Sequence, residues 1–289
     1  MTRVLVAGAT GYLGRYAVSA FNARGYNVRA LSRPQSVDKL SSPGEYLEPA
    51  VRDDIDDLFV GTATDPDTLD GLCDGVDVVF SSLGVTRQQA SHQDVDYGAN
   101  RTILDLASAA DVERFVFVSV ERPDLWGSLI EPREAFVSEL HESALSHTVV
   151  RPTGYFSDMT AFFEMARRDR AFLVGDGSAR MNPIHGTDLA AACVDAVDDS
   201  RREFSIGGPD VFSYDEIAAL AFRVLDKPPA VTHLPKWVVD AALTAVGPFS
   251  RRSAALGRAF SAILTTDVVA PETGSHSLEQ QYATLATRD

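Results

Sequence analysis

Val4-Leu-Val-Ala-Gly8-Ala-Thr-Gly11-Tyr-Leu-Gly14 is the stretch that decides the fold. A short apolar strand runs into three glycines spaced three apart. An amphipathic pattern follows at once through Leu13, Ala17, Val18, Ala20 and Phe21. Strand, tight turn and helix start, in that order, build an anion cradle. The first amides of a helix have no intrahelical acceptor, and its dipole favours negative charge. Gly8 allows the turn, Gly11 lets the backbone approach a pyrophosphate, and Gly14 lets helix and strand pack closely. The spacing is GxxGxxG, and its placement between a strand and a helix carries more weight than the glycines themselves.

The next strand, Asn27-Val-Arg-Ala-Leu-Ser32-Arg33-Pro34, indicates which dinucleotide the cradle takes. An NAD site usually carries an acid at the end of this strand, where it accepts a hydrogen bond from the ribose 2′-hydroxyl. No acid occurs from Val28 to Gln35, and Arg33 stands at the strand end. A planar guanidinium suits a 2′-phosphate, which a carboxylate would repel. NADP is therefore expected in preference to NAD. Arg33 also has a plain reading as a surface cation, because the chain uses 23 Arg and 3 Lys.

Downstream, strand and helix signals alternate. Strands are expected at 3–7, 27–31, 57–60, 76–80, 114–119 and 147–151, with helices at 12–24, 66–72, 94–110 and 131–144. Such βαβ alternation predicts an α/β fold of the Rossmann type, a doubly wound and mostly parallel sheet. Val76-Asp-Val-Val-Phe80 and Phe115-Val-Phe-Val118 are nearly all apolar, as strands buried on both faces require. Helices dominate after 152, at 157–168, 187–197, 213–226, 236–246 and 250–264, with short strands at 171–174, 203–206 and 230–233. The expected organisation is a core at 1–152 and a small, mainly helical lobe at 153–289. Thr187 or Asp188 is expected to cap one lobe helix. Ser213 with Glu216 forms a capping box on another. Asn100 reads either as a polar group reaching the sheet centre or as an exposed helix residue.

With 289 residues, 45% of them hydrophobic, the chain can bury a large core. A net charge of −15 argues against a nucleic-acid surface, which needs a basic patch. No segment has the roughly 18 uninterrupted apolar residues of a transmembrane span, and the start leads directly into a strand, so a cytoplasmic protein is expected. Cys73 and Cys193 read as free thiols, and no metal-ligand spacing occurs among the 6 His. The apolar segment Trp237–Phe249 suits core, a dimer contact or a helix lying on a membrane surface.

These pieces together resemble an atypical, extended short-chain dehydrogenase/reductase of the NmrA-like or nucleotide-sugar-epimerase-like kind. The matching stretches run in family order: the glycine turn, Ser32-Arg33-Pro34, Cys73 to Gly84, Phe115 to Ser119, Thr148 to Gly154, and Asn182 to Ala190. The resemblance implies that Gly8, Thr10, Gly11, Gly14 and the backbone of Tyr12 and Leu13 meet the pyrophosphate. It places Ser82, Leu83 and Gly84 on the ribose side, and Pro152 and Thr153 near the nicotinamide. Thr62 stands where the family often has an adenine-contacting Asp.

The catalytic pattern departs further. Reductases of this superfamily use a Tyr and a Lys four residues later, the ammonium lowering the phenol pKa. Here Arg133 takes the Lys place, Leu129 the Tyr place, and no Tyr lies between Tyr97 and Tyr155. Ser119, Arg133 and Tyr155 are the candidate catalytic residues, with His185 a further candidate. Each also has a structural reading, and no metal is expected. Two functions follow from the resemblance. One is an NADPH-dependent oxidoreductase acting on a small, apolar molecule, for which Phe156, Met159, Phe162, Phe163 and Trp126 would suit the pocket, although the same residues at helical spacing also read as plain core. Reduction of an activated C=C bond is favoured over that of a plain ketone. The other is a non-catalytic NADP-binding redox sensor, or an assembly factor with a protein partner. A homo-oligomer is compatible with either.

Overall fold

The computed structural model describes residues 1–85, 90–247 and 249–288. The chain order is β1 (Arg3–Ala7), α1 (Tyr12–Ala23), β2 (Asn27–Ser32), β3 (Asp57–Val60), β4 (Val78–Ser81), α2 (Asn100–Ala109), β5 (Arg114–Val118), α3 (Glu131–Glu142) and β6 (Ser146–Pro152). It continues with α4 (Phe156–Arg167), β7 (Ala171–Val174), β8 (Arg180–Met181), α5 (Gly186–Asp195), β9 (Glu203–Ile206), β10 (Phe212–Ser213), α6 (Tyr214–Val224), β11 (Val231–Leu234), α7 (Lys236–Val246), α8 (Arg251–Ile263) and α9 (Leu278–Ala286). The fold is Rossmann-type α/β, with a seven-stranded sheet in the order β3-β2-β1-β4-β5-β6-β9.

Chain contacts divide the protein into two compact units. The first comprises Met1–Ser119, Glu131–Arg151 and Leu189–Phe204. The second comprises Val120–Ile130, Pro152–Asp188 and Ser205–Asp289.

In the first unit, β1 pairs in parallel with β2 from Arg3↔Asn27 to Ala7↔Leu31, and with β4 from Val4↔Val78 to Ala7↔Ser81. The strand order reverses direction between β1 and β4. In open α/β sheets that switch point, at the carboxyl ends of the strands, is where ligands bind. The core on one face gathers Leu5, Leu72, Val79, Ile103, Phe115, Phe117, Phe136 and Val149. The strands are apolar at successive positions because both of their faces are covered. Arg15, buried on α1, brackets the segment after β2 by donating to the carbonyls of Lys39 (2.5 Å), Ser42 (2.5 Å) and Pro49 (3.0 Å).

The second unit has its own core of Phe156, Phe163, Leu173, Tyr214, Phe222 and Tyr282 among others. Its β-structure consists of two-stranded pairs, β10 with β8 and β11 with β7. Ser213 caps α6 as expected, its hydroxyl accepting from the Glu216 amide (3.2 Å) while Glu216 accepts from the Ser213 amide (2.7 Å).

Three expectations fail. The helix at 66–72 is a single 3₁₀ turn, Pro66–Thr68, because Thr68 Oγ1 takes the Thr62 amide (2.9 Å) and Gly71 sits at φ +74°. The helix at 94–110 is α-helical only from Asn100. Gln93–Ala99 forms a π-helical segment, an arrangement frequent at functional sites. The lobe pattern also misses α9, β8 and β10.

Candidate functional site

Two of the three glycines in the first turn are demanded by the protein itself. Gly8 has φ +94°, and a Cβ there would lie 2.8 Å from Ser82 Oγ. A Cβ on Gly14 would lie 1.9 Å from the Gly8 carbonyl oxygen. Gly11 differs: its nearest obstacle is the same oxygen at 3.3 Å, and it is exposed. It is the N-cap of α1 and has no side chain with which to cap it. The first intrahelical bond runs from the Arg15 amide to the Gly11 carbonyl (3.2 Å). The first amides of a helix lack an intrahelical acceptor. A phosphate approaching them would fill the space a Cβ on Gly11 would take. The turn therefore fits a dinucleotide pyrophosphate.

Arg33 follows β2 and is exposed at the start of a 3₁₀ segment, Pro34–Ser41. It makes no ion pair among the described residues. Arg29, two positions into the same strand, is spent on Asp57 (2.7 Å) and the Leu72 carbonyl (2.8 Å).

Across the switch point, the loop after β4 is held from below. Asn100 is fully buried. Its Oδ1 accepts from Ser81 Oγ (2.6 Å), and its amide donates to the carbonyls of Val95 (3.3 Å) and Asp96 (3.0 Å). Its sheet-centre reading is the observed one. The π-helical segment thereby presents Asp96 inward. That carboxylate accepts from Arg133 Nε (2.8 Å), from Arg133 Nη2 and from the Val85 amide (3.2 Å), and it contacts His92 Nδ1 (2.9 Å). Arg133 also donates to the carbonyls of Val118 (3.2 Å) and Leu83 (3.4 Å). A Cβ on Gly84 would fall 1.5 Å from Arg133 Nη2, so glycine there makes room for the guanidinium. Arg133 thus stands at the ends of β4 and β5 with its Nε and Nη2 edge committed to Asp96.

Ser119, just past β5, is also engaged. Its hydroxyl donates to Glu134 Oε1 (2.7 Å) and accepts from Arg151 Nη1 (3.3 Å). Arg151 grips Glu134 with both terminal nitrogens (2.9 and 2.7 Å) and Glu203 through Nε. Burial alone would raise the Glu134 pKa. The hydrogen bonds from Arg151 and Ser119, with the charges of Arg151 and Arg133, outweigh it and hold the carboxyl below its ordinary value. Ser119 therefore gives its proton to a carboxylate. Sequence reasoning missed Asp96, Glu134 and the partners of Arg151. The available signal was a set of charged residues at the ends of otherwise apolar buried elements.

The remaining candidates lie in the second unit. Thr153 donates through Oγ1 to the Asn182 carbonyl (2.6 Å) and through its amide to the Ile206 carbonyl (3.1 Å). Pro152 is buried, and its carbonyl accepts from the Glu121 amide (2.9 Å). Tyr155 bridges to Ile184 and precedes α4, its amide donating to Asp158 (3.1 Å). Phe156, Met159, Phe162 and Phe163 are buried in the unit's own core. Cys73 and Cys193 are buried free thiols, and burial pushes Cys73 up to about 12.

His185 is a cap. The Thr187 amide donates to its Nδ1 (3.2 Å) at the start of α5, and its ring stacks on His276 (4.4 Å between centroids). Thr187 and Asp188 are not the cap. Asp188 instead accepts from the amides of Ser275 and His276 (3.1 Å each) and contacts His276 Nδ1 (2.8 Å). Burial, with the His276 charge next, lowers the His185 pKa to about 4, against a partial upward pull from Asp188.

The comparisons with known proteins identify the family. The chain belongs to the NAD(P)H-binding family, whose pattern matches residues 8–200. Divinyl chlorophyllide a 8-vinyl-reductase of Oryza sativa subsp. indica is 30% identical over 309 residues, 96% of this chain and 74% of that protein. Photosystem II assembly factor Ycf39 of Trieres chinensis is 23% identical over 243 residues, 82% of this chain and 73% of that one. In fold, the chain is similar to the NADPH complex of quinone oxidoreductase QOR2 from Escherichia coli. The TM-score is 0.73 at 18% identity, covering 98% of this chain and 99% of the other.

Two outcomes follow. Gly11→Ala should cost at most about 1 kcal/mol of stability yet weaken dinucleotide binding more than tenfold, whereas Gly14→Ala should destabilise by several kcal/mol, roughly 3 or more. Urea unfolding with and without NADPH checks both. A Gly11→Ala protein of unchanged affinity contradicts the cradle. For His185, the unfolded ring binds a proton near pH 6.5 and the folded one near 4. Its contribution is therefore full above pH 6.5 and is lost as pH falls toward 4, by about 3 kcal/mol at most. His185→Asn keeps a capping side chain and should flatten the unfolding-midpoint slope between pH 6.5 and 5. An unchanged slope contradicts the assignment.

Proposed function

We propose that the chain is an NADPH-dependent reductase of an electron-poor carbon–carbon double bond in an apolar small molecule. It would work in the cytoplasm as an atypical short-chain dehydrogenase/reductase of the NmrA-like kind. The carrying observation is the state of the two polar groups at the ends of β4 and β5: Arg133 is locked to Asp96, and the Ser119 proton is held by Glu134. Leu129 replaces the phenol that ketone reduction uses. Reducing a plain ketone generates an alkoxide that needs a donor at hand. Conjugate reduction places its charge on the activating group, and water can deliver the proton afterwards.

In this proposal residues 1–152 form the dinucleotide core and 153–289 the substrate or partner lobe. Gly8, Thr10, Gly11, Tyr12, Leu13 and Gly14 hold the pyrophosphate. Arg33 takes the 2′-phosphate, Ser82, Leu83 and Gly84 the ribose side, and Pro152 and Thr153 the nicotinamide. Ser119 and Arg133 act as positioning residues, and Tyr155 contacts substrate. The dinucleotide, when bound, supplies the hydride, two electrons to one alkene carbon; the proton reaches the other. The rice relative, a vinyl-reductase by name, supports the same chemistry.

A second reading, an NADP-binding assembly or sensor protein, is favoured by the similarity to the photosystem II assembly factor and by the exposed apolar face of α7.

NADPH oxidation with a panel of conjugated vinyl, enone and quinone acceptors separates the two. The proposal expects turnover with at least one of these and none with simple ketones. NADPH binding without turnover on any acceptor supports the second reading, and equal rates on ketones contradict the first. Arg33→Ala should weaken NADPH binding about 10- to 100-fold, the worth of a charge-assisted bond, and NADH binding less than about threefold. Equal losses in titration remove Arg33 from the site.

A further inference from the structure

α7 leaves an apolar stripe exposed. Val239, Asp240 and Leu243 are its partly covered positions. Leu243 lies where a Cβ on Gly257 of α8 would meet it at 2.3 Å, and Asp240 Oδ1 takes Ser261 Oγ at 3.5 Å. Val238, Ala241, Ala242 and Ala245, spaced three and four apart and so on one helical face, are exposed. No residue of α7 is buried. Trp237, on the same helix, is 73% accessible and Phe249, just past its end, 91%. Pro248, between the helices, lies outside the described residues. An exposed apolar surface of this extent marks an interaction site.

Charge identifies the occupant. From 228 to 266 the chain carries four cations, Lys236, Arg251, Arg252 and Arg258, and one acid, Asp240. The stretch is thus +3 in a chain of −15. Asp240 is itself bound to Lys236 (2.7 Å). Arg251, Arg252 and Arg258 are exposed. A second copy would bring the same positive face against this one. Among the described residues, no helix is long and apolar enough to cross a membrane. Tryptophan next to Lys236 and phenylalanine two residues before Arg251 in the chain, on a helix that lies rather than spans, suit the headgroup boundary of an anionic bilayer. We propose that the outer face of α7, with the basic residues close to its ends, docks the protein onto a membrane surface of anionic lipid. The inference is independent of the reductase reading.

Co-sedimentation with vesicles tests it, comparing phosphatidylglycerol–phosphatidylcholine mixtures with pure phosphatidylcholine at ~0.1 M salt, where charges are only partly screened. Binding to the anionic vesicles should be at least tenfold tighter, since each basic residue near the surface is worth roughly fivefold. The emission of Trp237, read in a Trp126→Phe background, should shift to the blue. The double variants Val238→Asp with Ala245→Asp, and Arg251→Glu with Arg252→Glu, change exposed positions. Each should lose tenfold or more in binding with unchanged circular dichroism. Equal partition onto both vesicle types, no partition, or undiminished binding by both variants overturns the proposal. So does self-association abolished by the aspartates without vesicle binding, which assigns the face to a second copy.

Discussion

α1 leans on the turn after β1 so closely that no side chain fits between them, and the arrangement of the first unit follows from that contact. The Gly14 Cα lies against the Gly8 carbonyl, which fixes the start of α1 beside the carboxyl end of β1. β4 lies next to β1 on the other side, and there the strand order turns back on itself. The helix dipole, the first amides of α1 and the sheet's switch point therefore converge on one spot. A larger residue at 14 would separate the helix from the strand and disperse all three.

The same spot is braced by buried charge. Asp96 and Arg133 are nearly inaccessible, with side-chain exposures of 2% and 11%, and such charges are tolerated only when paired and hydrogen-bonded. Asp96 gathers Arg133 and the Val85 amide. Arg133 in turn ties the ends of β4 and β5 through Leu83 and Val118. The brace has a chemical consequence. A cation held by its own carboxylate exerts far less field on a neighbouring ligand than an unpaired ammonium would. Glu134, Arg151 and Ser119 form a second closed set beside it. Both sets stiffen the strand ends.

The sheet was legible in the sequence because strands buried on both faces must be apolar throughout, as Val4-Leu-Val-Ala7 and Phe115-Val-Phe-Val118 are. The glycine turn was legible because its residues are local to one another. The pairing of Asp96 with Arg133 was not, since 37 positions separate them and neither stands out among many charged residues. The π-helical segment escaped because its pattern mimics that of an ordinary helix. At 66–72 the apolar spacing of Leu69 and Leu72 was outweighed by Pro66, Thr68 and Gly71. His185 showed as a candidate group without its role, because capping by a ring nitrogen depends on the stack with His276. Phe156, Met159, Phe162 and Phe163 carry the same periodicity as a pocket lining would, and burial alone separates the two.

Calorimetric titration of the intact protein with NADPH and with NADH tests the central claim most directly, because every later step needs a dinucleotide in the first turn. Saturable one-to-one binding of NADPH, at least tenfold tighter than NADH, is the predicted result. Heat from neither nucleotide would contradict the account, leaving Gly8, Gly11 and Gly14 as a turn that serves packing alone.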